Sequence, residues 1–418
     1  MFQIPIAAIA LAVVTAAQIS GTIAWGERLI AFGVIASNGG RINFSAPEKN
    51  RGPWQTVHAE SLGDLIKLAP TEIRLSTLSK PDAVVPSLLA FKNSLNSLDL
   101  NNNSFSHDSF HRLSMLTNCE DLSLFHVPVV DADFERICNS LPLRSLDLSA
   151  ELLTPEAILA LDKLKWLEEL RLFDARLDLP SAAAIGRCVK LRHLTISGST
   201  VSDVEISQLR PLIKLTELGI NGTLASNESA PWIATLLNLK ELKIAGTQMT
   251  MAGVAQFKSL SQLETLIAYG LKPAPQIKVN WAEWSTNLKV LNLSNTRLGE
   301  GGLRGLGKLA NLEELNIEDT DISDDDITQL KGLRRLNQLE VNGTPMSDAL
   351  VKEILPSLSS LMTLGADDTD ISDQSLEVFF RHPALQSVTI RWTKITQNGA
   401  RQLMKHFRIG PGIWAPRR

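Results

Sequence analysis

Cysteine is scarce in this chain, with three residues, Cys119, Cys138 and Cys188, among 418. An odd number without the paired spacing of a metal site argues against both a disulfide framework and structural zinc. Positive charge is not in excess either. The 41 Lys and Arg stand against 45 Asp and Glu, for a formal net charge of −4, so the footprint of a nucleic-acid-binding protein is missing. Gly-x-Ser-x-Gly, His-Glu-x-x-His and Cys-x-x-Cys do not occur, which removes the usual catalytic signatures. What remains is 44% hydrophobic and 21% charged, a balance that folds. The length calls for two or three compact domains or one elongated body.

Charge is also absent from Met1 to Gly26, where Ile4 to Trp25 is a 22-residue run rich in Ala, Ile, Val and Leu. A helix rising about 1.5 Å per residue makes this run long enough for a bilayer core of about 30 Å. Residues 1–26 are therefore expected to be a membrane anchor, an uncleaved single-pass transmembrane helix. Its sidedness is open, because Arg28 and Arg41 are too few to set it. A cleaved signal peptide is the alternative, which would leave an exported protein. Ile6–Ala17 has the length of a signal core and Thr15-Ala16-Ala17 or Thr22-Ile23-Ala24 the small residues for cleavage, but no Lys or Arg precedes the run. A buried helix is a third reading.

Beyond residue 69 the chain repeats itself. Leu-x-x-Leu-x-Leu starts stand at Leu95, Leu143, Leu167, Leu191, Leu215, Leu239, Leu263, Leu288, Leu312, Leu336, Leu361 and Leu385, with Cys119 in the same slot and a degenerate start at Pro70. Fourteen units of 24 residues, three of them longer by one, fill residues 70–408. Within the unit at Leu312 the apolar residues are Leu312, Leu315, Ile317, Ile322, Ile327, Leu330 and Leu333. The first three have strand spacing; the last three suit one face of a short helix or 3₁₀ turn. No unit buries seven apolar side chains alone, so neighbours must stack into a shared core. Between strand and return segment, Thr223, Thr247, Thr296, Thr320, Thr344, Thr369 and Thr393 share one slot, where stacked hydroxyls can satisfy buried backbone groups of the turn. The Ser-Asp that follows, as in Ser347-Asp348, suits the cap of the return helix.

These units resemble the leucine-rich-repeat family, in the bacterial form that reads Leu-x-x-Leu-x-Leu-Ser-Gly-Thr-x-Ile-Thr-Asp-x-x-Leu. The Ile-Thr/Ser-Asp continuation is also similar to the cysteine-containing subclass, with Thr in place of its Cys. The resemblance implies an α/β fold: a leucine-rich-repeat solenoid curved like a horseshoe, with a parallel β-sheet on the concave face and short helices or 3₁₀ turns on the convex face. It implies a protein-binding surface and no reaction, so neither a cofactor nor a small-molecule substrate is expected.

Residues 27–69 lie outside the period and read as an N-terminal cap, with a helical Glu27–Ser37, a Gly39-Gly40 stop and an extended Arg41–Phe44. Residues 409–418, with Trp414, read as a C-terminal cap or tail. The unit at Leu263 departs from the pattern. Lys272-Pro273-Ala274-Pro275 replaces its turn, as a contact loop or as tolerated drift, and Trp281 and Trp284 take late core slots. Cys119 and Cys188 fall in core slots and are expected to be inert. Gly302 to Lys308 matches seven places of a phosphate-binding loop, but Leu309 stands where Ser or Thr is needed, and Leu303, Leu306 and Leu309 are core positions in phase. His107 and His111, four apart, suggest a metal pair, yet no third ligand follows and solvated surface is the plainer reading.

Stacked strands align residues in columns about 4.8 Å apart. One outward column reads Asp121, Ser145, Glu169, His193, Glu217, Glu241. His193 would stand between two carboxylates, an arrangement that favours its charged form. The next column places Asp147 beside Arg171, and Phe125, His126, Phe173 and Asp174 follow along the strands. Exposed aromatics beside an Arg and carboxylates are the materials of an interface hot spot; a ladder of solvated pairs is the bland alternative. A second patch is acidic, comprising Glu314, Glu318, Asp319, Glu340, Asp367 and Asp368, suited to a basic partner or a loosely held cation, or else ordinary surface charge. Arg391 and Trp392 add a smaller basic-aromatic edge. The expectation is a membrane-tethered, non-catalytic module that binds another protein through its sheet face. The alternatives are a metal-dependent hydrolase using His126, His193 and neighbouring acids, and a purely structural envelope protein.

Overall fold

The computed structural model describes residues 71–198, 200–273 and 278–408, together with 31, 34, 35, 38 and 41–43. The expected anchor or signal at 1–26, the tail at 409–418, most of the N-terminal cap and the Ala274-Pro275 part of the irregular turn lie outside those residues. The chain divides into two units between Thr195 and Ile196.

In the first unit β1 (Arg41–Asn43) pairs antiparallel with β2 (Glu72–Arg74), Ile42 opposite Ile73. Parallel strands β3 (Ser97–Asp99), β4 (Asp121–Leu124), β5 (Ser145–Ser149) and β6 (Glu169–Phe173) follow in chain order, and β7 (His193–Ser197) carries the division between the units. The second unit continues with β8 (Glu217–Gly219), β9 (Glu241–Lys243), β10 (Thr265–Ile267), β11 (Val290–Asn292), β12 (Glu314–Asn316), β13 (Gln338–Glu340), β14 (Thr363–Gly365) and β15 (Ser387–Thr389). These too are parallel and paired in chain order. In each unit a strand is followed by a turn and a short α- or 3₁₀-helix. This is the α/β solenoid architecture that the period requires.

Register follows from the apolar pattern. Leu122, Leu146 and Leu170 face one another across β4–β6, as do Leu291, Leu315 and Leu339 across β11–β13. A slip of one residue would turn every leucine to solvent. All seven apolar residues of the unit beginning at Leu312 are buried, each contributing roughly 1.5–3 kcal/mol by area. Cys119, Cys138 and Cys188 are buried free thiols, and burial raises Cys119 to about 12 and Cys188 to about 11, which keeps both protonated and inert.

The threonine column closes the turns of the second unit. Thr223, Thr247, Thr320, Thr344, Thr369 and Thr393 each donate from Oγ1 to the carbonyl three residues back, at 2.6–2.9 Å. Thr296 differs, donating at 3.3 Å to Ala268 O of the preceding unit and to Ser294 O. One position before this column the backbone is left-handed. Glycine supplies it at Gly222, Gly246, Gly270 and Gly343, whereas Asn102, His126, Asp174, Asn295, Asp319, Asp368 and Trp392 adopt it at a steric cost.

The Ser-Asp pair works differently from expectation. Serine caps its own helix, as Ser347 accepts from Leu350 N–H and Ser323 from Asp326 N–H. The aspartate reaches into the following repeat: Asp348 accepts from Ser372 N–H and from the hydroxyls of Ser372 and Ser375 at 2.5–2.9 Å. Asp203 does the same with Ser226 and Ser229, Asp82 with Ser106 and Ser109, Asp131 with Thr154 and Asp373 with Thr396. Serine takes the orphan donors of its own helix, and these five aspartates each tie one turn to the next.

Candidate protein-binding face

On the first unit, side chains alternate inward and outward along β4 to β6. Ser149 stands opposite Phe173 in the register, with Phe125 at the equivalent place after β4. Phe125 and Phe173 are thus two strands apart, roughly 9–10 Å at the backbone. Their ring centroids are nonetheless only 4.9 Å apart, at 67°. The rings lean over Ser149, whose short side chain leaves the gap. They are consequently half-buried rather than exposed as the sequence suggested. His126 stacks on Phe125 with centroids 3.9 Å apart. It occupies the left-handed turn position, where its N–H donates to Ser149 Oγ at 2.9 Å and its Nδ1 lies 3.1 Å from Asn102 Oδ1. Asp174 sits exposed at the same position of its own turn.

Asp147 and Arg171 are cross-strand neighbours in register. The ion pair of Arg171, however, is with Glu169 on its own strand, Nη1 to Oε2 at 3.5 Å. Glu169 gathers three groups: Arg171, His193 Nδ1 at 2.9 Å and the Ser145 hydroxyl at 3.4 Å. Asp147 accepts from Ser123 Oγ at 3.3 Å through Oδ2, while its buried Oδ1 has no hydrogen-bond partner among the described residues. Burial pushes the Asp147 carboxyl above the usual range, against the opposing pull of Arg171 and Ser123. Asp121 is raised as well, by burial first and then by the negative charges of Glu169, Glu120 and Glu72. The first unit therefore brings together Phe125, His126, Asp147, Glu169, Arg171, Phe173, Asp174 and His193. Glu217 belongs to the second unit, in register with Glu241.

The acidic patch of the second unit is smaller than the sequence indicated. Asp367 is buried and fully engaged, accepting from Arg391 Nε at 2.7 Å, Nη2 at 2.6 Å and the Arg391 backbone N–H at 2.6 Å. It is no free charge; Arg391, though paired with it, stays half-exposed with its guanidinium 5.5 Å from the Trp392 ring centroid. Glu340 folds over Gly365, where any Cβ would overlap its carboxylate. Burial, then the charges of Glu318 and Asp367, raise its pKa, while Gln338 and Asn342 donate to it. Glu314, Asp319 and Asp368 are exposed. No group of three His, Cys, Asp or Glu among the described residues is arranged to hold a metal ion, so neither the loose cation nor the hydrolase constellation of His126 and His193 is assembled there.

Other motifs resolve structurally. His107 and His111 lie exposed on the helix His107–Leu113, as solvated surface residues, with His107 Nδ1 2.6 Å from Asp133 and His111 Nδ1 3.1 Å from Arg136 of the next helix. Leu303, Leu306 and Leu309 of the loop-like motif are buried. Trp281 and Trp284 fill the core, with Trp281 Nε1 donating to Gly302 O at 2.9 Å. Two features escaped the sequence. Ser149 matters as an absence of bulk between two aromatic units, a signal visible only once the column is drawn. Tyr269, the one tyrosine, is exposed on the sheet face of the second unit, flanked in its column by the small Ala245 and Ser294.

The Leucine Rich Repeat family profile matches residues 287–309. No curated protein matches in sequence. Among solved structures, the mouse RP105/MD-1 complex is similar over 79% of this chain and 56% of that one, with a TM-score of 0.51 and 17% identity, a likeness of fold. An internalin of Listeria monocytogenes aligns with 78% of this chain and 82% of its own, at 22% identity and a TM-score of 0.47. A leucine-rich-repeat protein of Leptospira interrogans aligns with 79% and 91%, at 18% identity and a TM-score of 0.47.

Proposed function

We propose that this chain, which has a leucine-rich-repeat fold and matches the Leucine Rich Repeat family profile over residues 287–309, is a non-catalytic binding module, tethered to a membrane through residues 1–26, that takes a protein partner on the sheet face of its first unit. The observation that carries this reading is the Phe125–Phe173 pair closing over Ser149, on the same strand as Asp147, whose buried Oδ1 has no donor among the described residues. Two rings held in contact present a rigid, partly dry anchor, the type of site where binding energy concentrates. An unsatisfied carboxylate oxygen at its margin is an incentive for a donor from outside, since a buried acceptor left unpaired costs about 1–3 kcal/mol. Glu169, Arg171, His193 and Asp174 form a charged rim of the kind that sets orientation more than affinity. RP105 was solved in complex with MD-1, which supports a protein as the class of partner.

A photo-crosslinking residue placed at position 123 or 195, both on the sheet side, and another at Leu159 on the helical side of the same unit test the reading. A partner captured from 123 or 195, absent from 159, and lost when Phe125→Ala and Phe173→Ala are combined is the expected result. Equal capture from both sides, or capture indifferent to the two phenylalanines, would remove the site.

A further inference from the structure

The turns that lead into the strands carry a second kind of surface. Two places before each leading leucine most repeats hold a small or charged residue, such as Thr117, Ser261, Ala310, Arg334 and Ser359. Three consecutive repeats instead hold Val189, Ile213 and Leu237, which are 51%, 67% and 57% exposed. In the first unit Val189 follows Trp166, itself 55% exposed one place before its leucine. The Lys190 ammonium lies 3.2 Å from the Trp166 ring centroid and the Arg144 guanidinium 5.9 Å from it. Around them Lys163, Lys165, Arg187 and Arg192 are exposed. The carboxylates facing this edge are already engaged: Asp162 with Arg187 at 2.7 Å, and Glu120 and Glu168 with Arg144 at 3.0 and 2.8 Å. Lys163, Lys165 and Lys190 make no ion pair among the described residues.

We propose that this edge of the first unit, Lys163–Trp166 with Arg187–Arg192, docks on the headgroup layer of an anionic bilayer. A protein whose net charge is −4 here concentrates cations around solvent-facing apolar groups. Lysine is depleted from protein–protein interfaces. Lysine and tryptophan, each an apolar body with a polar tip, suit the headgroup level, where the stem or ring sinks and the charge meets phosphate. Within the first unit, Trp166 and Val189 are exposed apolar groups of consecutive repeats rimmed by this charge. In the second unit Ile213 and Leu237, with Arg210 and Lys214, repeat the composition, and the same measurement applies to that unit by itself.

Hydrogen exchange on the full chain, with vesicles of phosphatidylcholine alone or with about a third phosphatidylglycerol, separates this docking from any insertion of residues 1–26, because protection is read locally. Exchange at residues 163–168 and 187–193 should slow at least about threefold with the anionic vesicles only, and recover near 0.5 M salt as screening tightens. Trp166→Glu with Val189→Glu should abolish the protection, and so should Lys165→Glu with Lys190→Glu, which disturbs no buried group. Leu159→Glu, on the helical side, should not. Absent protection, equal protection with neutral vesicles, or protection only when a protein partner is added would overturn the proposal.

Discussion

The two units solve the same turn in different ways. In the second, β8 to β15 are three residues long, most turns pass through a left-handed residue, and a threonine hydroxyl fills the carbonyl three residues back. In the first, β5 and β6 run to five residues, and the threonine slot holds Asn103, Val127 and Ala175, which are buried, and Glu151, which is exposed. The carbonyl of Leu124 accepts from the Val127 N–H at 3.1 Å, as Val341 O accepts from the Thr344 N–H at 3.2 Å in addition to the hydroxyl. With the strand pairing extended, Ser149 and Phe173 enter the ladder, so one ring of the aromatic pair is held by regular backbone while Phe125 stands in the turn after β4. Regularity serves folding in the second unit. In the first unit the departure coincides with the proposed binding site, the place where local rules are broken when function is placed there.

The largest way to break this contrast is to strike the regular unit at its centre. Leu315 is buried between Leu291 and Leu339, and Leu315→Asp should cost upward of about 4 kcal/mol. Exchange protection should vanish from several neighbouring repeats of the second unit, because stability in stacked arrays is shared between neighbours. A melting temperature within a degree or two of wild type would show that the repeats do not depend on one another.

Thr344→Val tests the turn chemistry. The hydroxyl donates to Val341 O at 2.6 Å in a buried turn, so its loss should cost about 1–2 kcal/mol. The reciprocal change, Val127→Thr, should gain less than Thr344→Val loses, since its hydroxyl would replace an apolar side chain that is already buried there. Equal and opposite shifts in urea midpoint for the two variants would mean that the turns are interchangeable.

The sequence made the period, the register and the threonine column legible because each is a local pattern copied many times. It reached the columns of the binding face for the same reason. It missed what depends on side chains reaching across a strand. The phenylalanines are two repeats apart and meet only because Ser149 is small, and Asp367 looked like free charge until Arg391, 24 residues later, was seen to close on it. The aspartate of Ser-Asp was read as a partner of its own helix because sequence adjacency hides the neighbouring turn, which lies nearer in space.

Those aspartates predict an acid limit. Burial alone would raise Asp348 and Asp203, but hydrogen bonds from Ser372 and Ser375, and from Ser229 and Ser226, outweigh it and hold both carboxyls below their ordinary value. A depressed folded pKa stabilises the fold fully above the unfolded value of about 3.9 and loses that contribution as pH falls through the folded value. Asp348→Asn should cost about 1 kcal/mol at neutral pH, and its urea midpoint should fall less steeply with acid than that of wild type. Parallel pH profiles would deny the inter-turn bond any role in stability.

Asp147 carries the opposite sign and the smallest effect. Its folded pKa is raised, chiefly by burial, so the ionised side chain weighs against folding above that value, and the penalty disappears below about pH 3.9, where both states are protonated. Asp147→Asn should therefore stabilise the first unit at neutral pH by a few tenths of a kcal/mol, with the advantage over wild type shrinking toward low pH. If the orphan oxygen is kept for a partner's donor, the same variant should bind that partner about tenfold more weakly. Gains in stability and losses in affinity from one substitution would mark a group retained against folding for the sake of contact, which no residue of the threonine column should do.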